Sequence, residues 1–155
     1  MSGLQPEEFI SYSIFNCCIF ALMPEGSIDI KKVTNYWLDS SDKDFKTMEN
    51  LMRSGDYNWA MFLGHLVIEK LLKAVYVKVH KKHAIHGHDL LRLTSSLGLE
   101  LDSDKEEWFD QLTTFNLNAR YDSYKQEFYK LCTKEFAIEW KLKIEELRKW
   151  LLNQL

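Results

Sequence analysis

The chain has 155 residues, a formal net charge of −3, and 46% hydrophobic against 28% charged residues. That is one domain's worth of sequence, with enough apolar content for a core without disulfides or metal, and it excludes disorder as the main state. The only prolines are Pro6 and Pro24, with six glycines in all, too little turn punctuation for a β-sandwich.

Residues 1–28 form a segment of their own. Phe9 to Met23 is apolar, but Glu7 and Glu8 precede it and no Lys or Arg does. A secretory leader needs the opposite sign there, and a membrane span needs about 20 apolar residues. The segment is expected to be an N-terminal extension, loosely attached to or packed on the main domain (29–155), with no role at a membrane.

The first helix is expected from about Ile30 to Arg53, with Val33, Trp37, Phe45, Met48, Leu51 and Met52 facing inward. Ser40, Ser41 and Asp42 weaken its middle and allow a kink. Ser54–Gly55–Asp56 ends it, the glycine supplying a left-handed residue and Asp56 a cap for the next helix. The second helix runs from about Tyr57 to Lys82. Its interior, from Leu66 to Val79, is apolar on most of its circumference, which marks a central element.

The polar residues of this second helix are not scattered. At 100° per residue, His65, Glu69, Lys73, Tyr76 and His80 fall within an arc of roughly 80°. The arc reads as the wet face, as a cleft lining, or as a polar subunit interface. Glu69 and Lys73 have the favourable spacing for an intrahelical ion pair.

A loop follows, with His80, His83, His86 and His88 crowded around it. Zinc sites normally take ligands from two separated segments, and no Cys, Asp or Glu falls between these histidines, so no metal is expected, nor any cofactor. His88 differs from the others because it stands directly before a helix start, where it can anchor the loop. That third helix spans about Asp89 to Leu97 and ends at Gly98. Asp102 or Ser103 caps a fourth helix that carries Trp108, Phe109, Leu112, Phe115 and Leu117 and weakens near Ala119–Asp122. The last helix, about Lys134 to Leu152, repeats apolar residues at the spacing of an amphipathic stripe.

The fold is therefore expected to be all-α, an up-and-down bundle of four to five helices. Three cysteines, Cys17, Cys18 and Cys132, make an odd number without metal spacing. They read as reduced thiols of a cytoplasmic protein. No Lys/Arg block is long enough to follow duplex DNA, although net charge leaves a local basic cluster open.

Near the end of the fourth helix, Asn118–Ala119–Arg120–Tyr121–Asp122 leads into Tyr124, Lys125, Phe128, Tyr129 and Lys130. Arg120 offers a planar fork for phosphate or carboxylate, and the aromatic rings offer stacking faces. In a purely structural role, Arg120 would bridge to Glu69 or Asp122.

Trp37, GHLVIEKLLKA (Gly64 to Ala74), GHDLLRL (Gly87 to Leu93) and LNARYDSYK (Leu117 to Lys125) together resemble a HEPN domain (higher eukaryotes and prokaryotes nucleotide-binding). The resemblance covers about residues 30–152. It implies an up-and-down bundle that commonly forms a homodimer, often beside a minimal nucleotidyltransferase partner, in toxin–antitoxin or defence settings. Many such domains are metal-independent RNases whose motif is an Arg, a polar residue directly after it, and a His beyond four to six intervening residues. Here Arg120 is followed by Tyr121, and Tyr124 to Glu127 contain no His. The usual proton-transfer group near neutrality is absent.

The expectation is therefore a HEPN-like module with a degenerate RNase motif, leaning away from enzyme activity and binding a nucleotide, an RNA or a nucleotidyltransferase. Its expected cleft combines Glu69, Lys73, His88 and Arg120 with Tyr121 as stacking surface, and His65, Asn118 and Lys125 as secondary candidates. The alternatives are an endoribonuclease, with His65, Tyr121 or Lys125 replacing the lost His, and a purely structural dimer with the polar arc buried between subunits.

Overall fold

The computed structural model describes residues 28–155 apart from Tyr121, and leaves the side chains of Asp122 and Ser123 aside. The expected N-terminal extension, with Cys17 and Cys18, therefore lies outside the described residues except for Ile28. Among the described residues there are six helices and no strand: α1 (Ile30–Ser54), α2 (Tyr57–His80), α3 (Leu90–Leu97), α4 (Ser103–Arg120), α5 (Asp122–Leu131) and α6 (Lys134–Leu152). None is long and apolar enough to cross a membrane.

Six helices are described against the four to five expected, with α4 ending at Arg120 and α5 beginning at Asp122, on either side of the position where the fourth helix was expected to weaken. Other boundaries follow local chemistry. Asp29, Asp89 and Thr133 each cap a helix by accepting a main-chain N–H three residues on. Asp102, rather than Ser103, does the same for α4, accepting from Lys105 N at 2.8 Å. Asp56 departs from expectation. It stands at the N-cap of α2 but makes no capping bond there, its carboxylate instead accepting from Ser54 Oγ at 2.5 Å.

α2 is the axis of the molecule and packs against all five other helices. Val67, Ile68, Leu71, Leu72 and Ala74 lie around its circumference without solvent exposure. The expected soft spot in α1 has a different role: α1 is one continuous helix, and Ser41 is fully buried with its Oγ donating to Val67 O at 2.9 Å. Its hydroxyl therefore ties α1 to α2 instead of loosening α1.

Closest to α6, the α2 backbone is bare. A Cβ placed on Gly64 would lie 2.4 Å from Ile144 Cδ1 and 3.3 Å from Met48 Sδ. The missing side chain lets α1, α2 and α6 meet. On the other side, Phe115 of α4 contacts the rings of Phe128, Phe136 and Trp140 with centroids 4.8–5.9 Å apart. This aromatic cluster seats α5 and α6 on α4.

Candidate functional site

Two sets of polar residues emerge, at different levels of α2. The first centres on Glu69, whose side chain is only 5% exposed. Successive turns of α2 place His65 and Lys73 beside it, as their four-residue spacing requires. Lys73 Nζ donates to Glu69 Oε1 at 2.6 Å, while His65 Nε2 and His88 Nδ1 approach Glu69 Oε2 at 3.0 and 2.9 Å. His65 Nδ1 lies 2.9 Å from Leu112 O on α4. The Lys73 ammonium also sits over the Trp37 ring, 5.2 Å from its centroid.

Burial alone would raise the Glu69 carboxyl's pKa. The hydrogen bonds from His65 and His88 and the charge and hydrogen bond of Lys73 outweigh it, and hold the group well below the ordinary carboxylate range. Glu69 is thus an ionised hub inside the protein, the arrangement in which a buried carboxylate is tolerated. Three of the expected site residues, Glu69, Lys73 and His88, are brought together here, and His65 with them.

The arc is neither a wet face nor a subunit interface at this point. His65, Glu69 and Lys73 are buried within a single chain, under α1, α4 and the α2–α3 loop. Towards its end the arc turns outward: His80 stacks on Tyr76 with centroids 4.4 Å apart and binds Ser96 O at 2.9 Å.

Arg120 stands apart from this hub. Its Nε donates to Asn116 O in its own helix at 3.1 Å. Leu112 is level with His65, and Arg120 lies eight residues beyond it, about 12 Å further along α4 at 1.5 Å per residue. Lys125 of α5 reaches Trp59, near the start of α2, so the chain leads away from Glu69 in this direction. The expected orientation of Arg120 by Glu69 is not what these contacts make, because both Glu69 oxygens are taken by Lys73, His65 and His88. Asn118 is half-buried two residues before Arg120, and Tyr121 lies outside the described residues.

Lys125 belongs to a second polar set. Asp56, Asn58 and Trp59 from the start of α2 face Lys125, Gln126, Tyr129 and Lys130 of α5 across a shallow groove of about 440 Å³. Lys125 Nζ lies 5.6 Å from the centre of the Trp59 ring. Tyr129 is 68% exposed and Trp59 39%. Residues 125 and 129, like 126 and 130, are one helical turn apart, which places cation and ring along the same edge of α5. Trp59 was missed by sequence reasoning, since a single Trp early in an apolar helix reads as core. Asn116 was missed too: it is buried, and its Oδ1 has no hydrogen-bond partner among the described residues.

Comparison with known proteins agrees with this architecture. The family model for the HEPN domain matches residues 34–155. A crystal structure of TT1696 from Thermus thermophilus is similar in fold with a TM-score of 0.68 at 19% identity, covering 79% of this chain and 98% of that one. No curated protein sequence matches significantly.

Proposed function

This chain belongs to the HEPN family, and from that premise we propose that it is an RNA-binding module that takes a single strand along the groove between α2 and α5. The observation that carries the reading is the juxtaposition of Lys125, Lys130 and Tyr129 with Trp59. Single-stranded nucleic acid is held by cations on phosphate and aromatic faces on bases, without sequence-specific hydrogen bonding. Arg120, five residues before Lys125 in the chain, offers a further fork-shaped donor for phosphate.

Cleavage is the weaker reading. His65, offered by the sequence as a replacement proton carrier, is fully buried with both ring nitrogens engaged. It is not available to a ribose hydroxyl. Lys125 lies in the groove, but an ammonium needs a large pKa depression to act as a base near neutrality.

Anisotropy of a fluorescent single-stranded oligoribonucleotide tests the proposal. Wild-type protein should bind at low salt and leave the RNA intact, and the double variant Lys125→Ala/Lys130→Ala should bind far more weakly. Cleavage of the RNA, abolished by Arg120→Ala, would reinstate the nuclease, whereas absence of binding would remove the groove as its site.

Homodimer formation is the second part of the proposal. Ile138 and Leu142, one turn apart on α6, are 46% and 62% exposed, an apolar edge that a second copy would cover. Leu142→Glu should then shift the sedimentation coefficient to that of a monomer.

A further inference from the structure

The hub around Glu69 poses a proton problem that its hydrogen bonds do not solve. His65 Nδ1 faces the carbonyl of Leu112 at 2.9 Å and Nε2 faces a carboxylate oxygen at 3.0 Å. Both partners are acceptors, and a neutral imidazole carries one N–H. Whichever nitrogen holds it, the other directs a lone pair at oxygen in a buried place. The ring is therefore one positive centre short, whether that is a second proton on the imidazole or a metal ion between Nε2 and Glu69 Oε2.

The surroundings favour the metal ion. His65 Nε2, Glu69 Oε2 and His88 Nδ1 all lie within 4.8 Å of one another. Two imidazoles and a carboxylate, from a helix and a separate loop, are a ligand set of zinc with its fourth position open. The remaining contacts fit that role. Leu112 O can accept the Nδ1–H of the His65 tautomer that turns the Nε2 lone pair towards Glu69 Oε2, the support that metal-bound histidines receive from an outer partner. Lys73 occupies Glu69 Oε1, which leaves Oε2 as a single donor atom. The His88 side chain is half-exposed, so packing restrains its ring least of the three.

The distances ask for little movement. Ligand bonds of about 2.0–2.2 Å in a tetrahedron set donor atoms roughly 3.3–3.5 Å apart. The two hydrogen-bonded contacts would open by only a few tenths of an ångström while His88 turns towards His65. The nearby Lys73 ammonium opposes a dication, and an anionic fourth ligand, such as a hydroxide formed from bound water, offsets it.

We propose that His65, Glu69 and His88 form a three-ligand site for a divalent transition-metal ion of the zinc class, which fixes the α2–α3 loop to the bundle. This goes beyond the RNA-binding proposal and does not depend on it.

Titration of chelator-treated full-length protein with Zn²⁺ by calorimetry, and with Co²⁺ by visible absorption, tests it. One ion per chain should bind, with the intense ligand-field bands of four-coordinate Co²⁺ and a rise in melting temperature. His88→Ala, at a half-exposed position where folding should survive, should weaken binding by tenfold or more, as should Glu69→Gln if it folds. His83→Ala/His86→Ala, in the same loop, should leave binding unchanged. Two results would overturn the site: no binding by the wild type, or binding that persists in His88→Ala and disappears in His83→Ala/His86→Ala. In the first case, ¹⁵N resonances showing both His65 ring nitrogens protonated would identify the missing charge as a proton.

Discussion

Glu69 shows how one side chain can hold several elements. Its two oxygens are engaged by the helix that carries it, through His65 and Lys73, and by the loop that follows, through His88. Removing its charge leaves the Lys73 ammonium buried without its counter-ion. Breaking a buried ion pair from one side costs about 3–5 kcal/mol, so Glu69→Gln should lose stability on that order, measured by urea denaturation. The pH dependence has a definite sign. The carboxyl is held below its ordinary value of 4.5, so the unfolded chain takes up the proton first. Its stabilising contribution is complete above that value and declines as pH falls below it. Wild-type melting temperature should drop more steeply than that of Glu69→Gln between pH 5 and pH 3. A parallel course for the two proteins would mean that the hub makes no ionic contribution.

At the scale of the element, most of the fold was legible because its rules are local. The cap at Asp102 and the left-handed glycine at Gly55 (φ 86°) are written in three or four consecutive residues. The apolar circumference of α2 announced its central position in the same way. The burial of its polar arc was not legible, since periodicity reports that polar residues share a face but not what covers it. Glu69 and Lys73 could be paired from spacing alone, whereas Leu112 O and His88 come to them only through tertiary packing. The same limit hid Gly64, whose reason lies on another helix. Gly64→Ala gains up to about 1 kcal/mol in helix propensity, but it drives a Cβ to 2.4 Å from the buried Ile144 Cδ1. Overpacking of this kind costs about 1–3 kcal/mol, so a net loss is expected. Ile144→Val removes the opposing methyl, and the double variant should regain part of that loss in thermal melts. If the two substitutions prove additive instead, α2 and α6 are not in contact at this point.

Over the whole molecule, the two polar sets divide the labour along α2. The Glu69 hub faces inward and organises helices, while the groove at the start of α2 faces solvent with Lys125, Lys130, Trp59 and Tyr129. A net charge of −3 gives the chain no general attraction for polyanions, so the proposed RNA binding rests on local cations, and its salt dependence would count them. Each phosphate neutralised on a single strand contributes a slope of about −0.7 in log K against log salt. Lys125→Ala/Lys130→Ala should therefore flatten the slope by about 1.4. Tyr129→Ala removes a stacking face instead, and should weaken binding by about 1–3 kcal/mol at every salt concentration with the slope unchanged. These two signatures separate cation from ring in one set of anisotropy titrations. A slope that stays the same without the two lysines would place the phosphates elsewhere on the surface, with Arg120 next to be substituted.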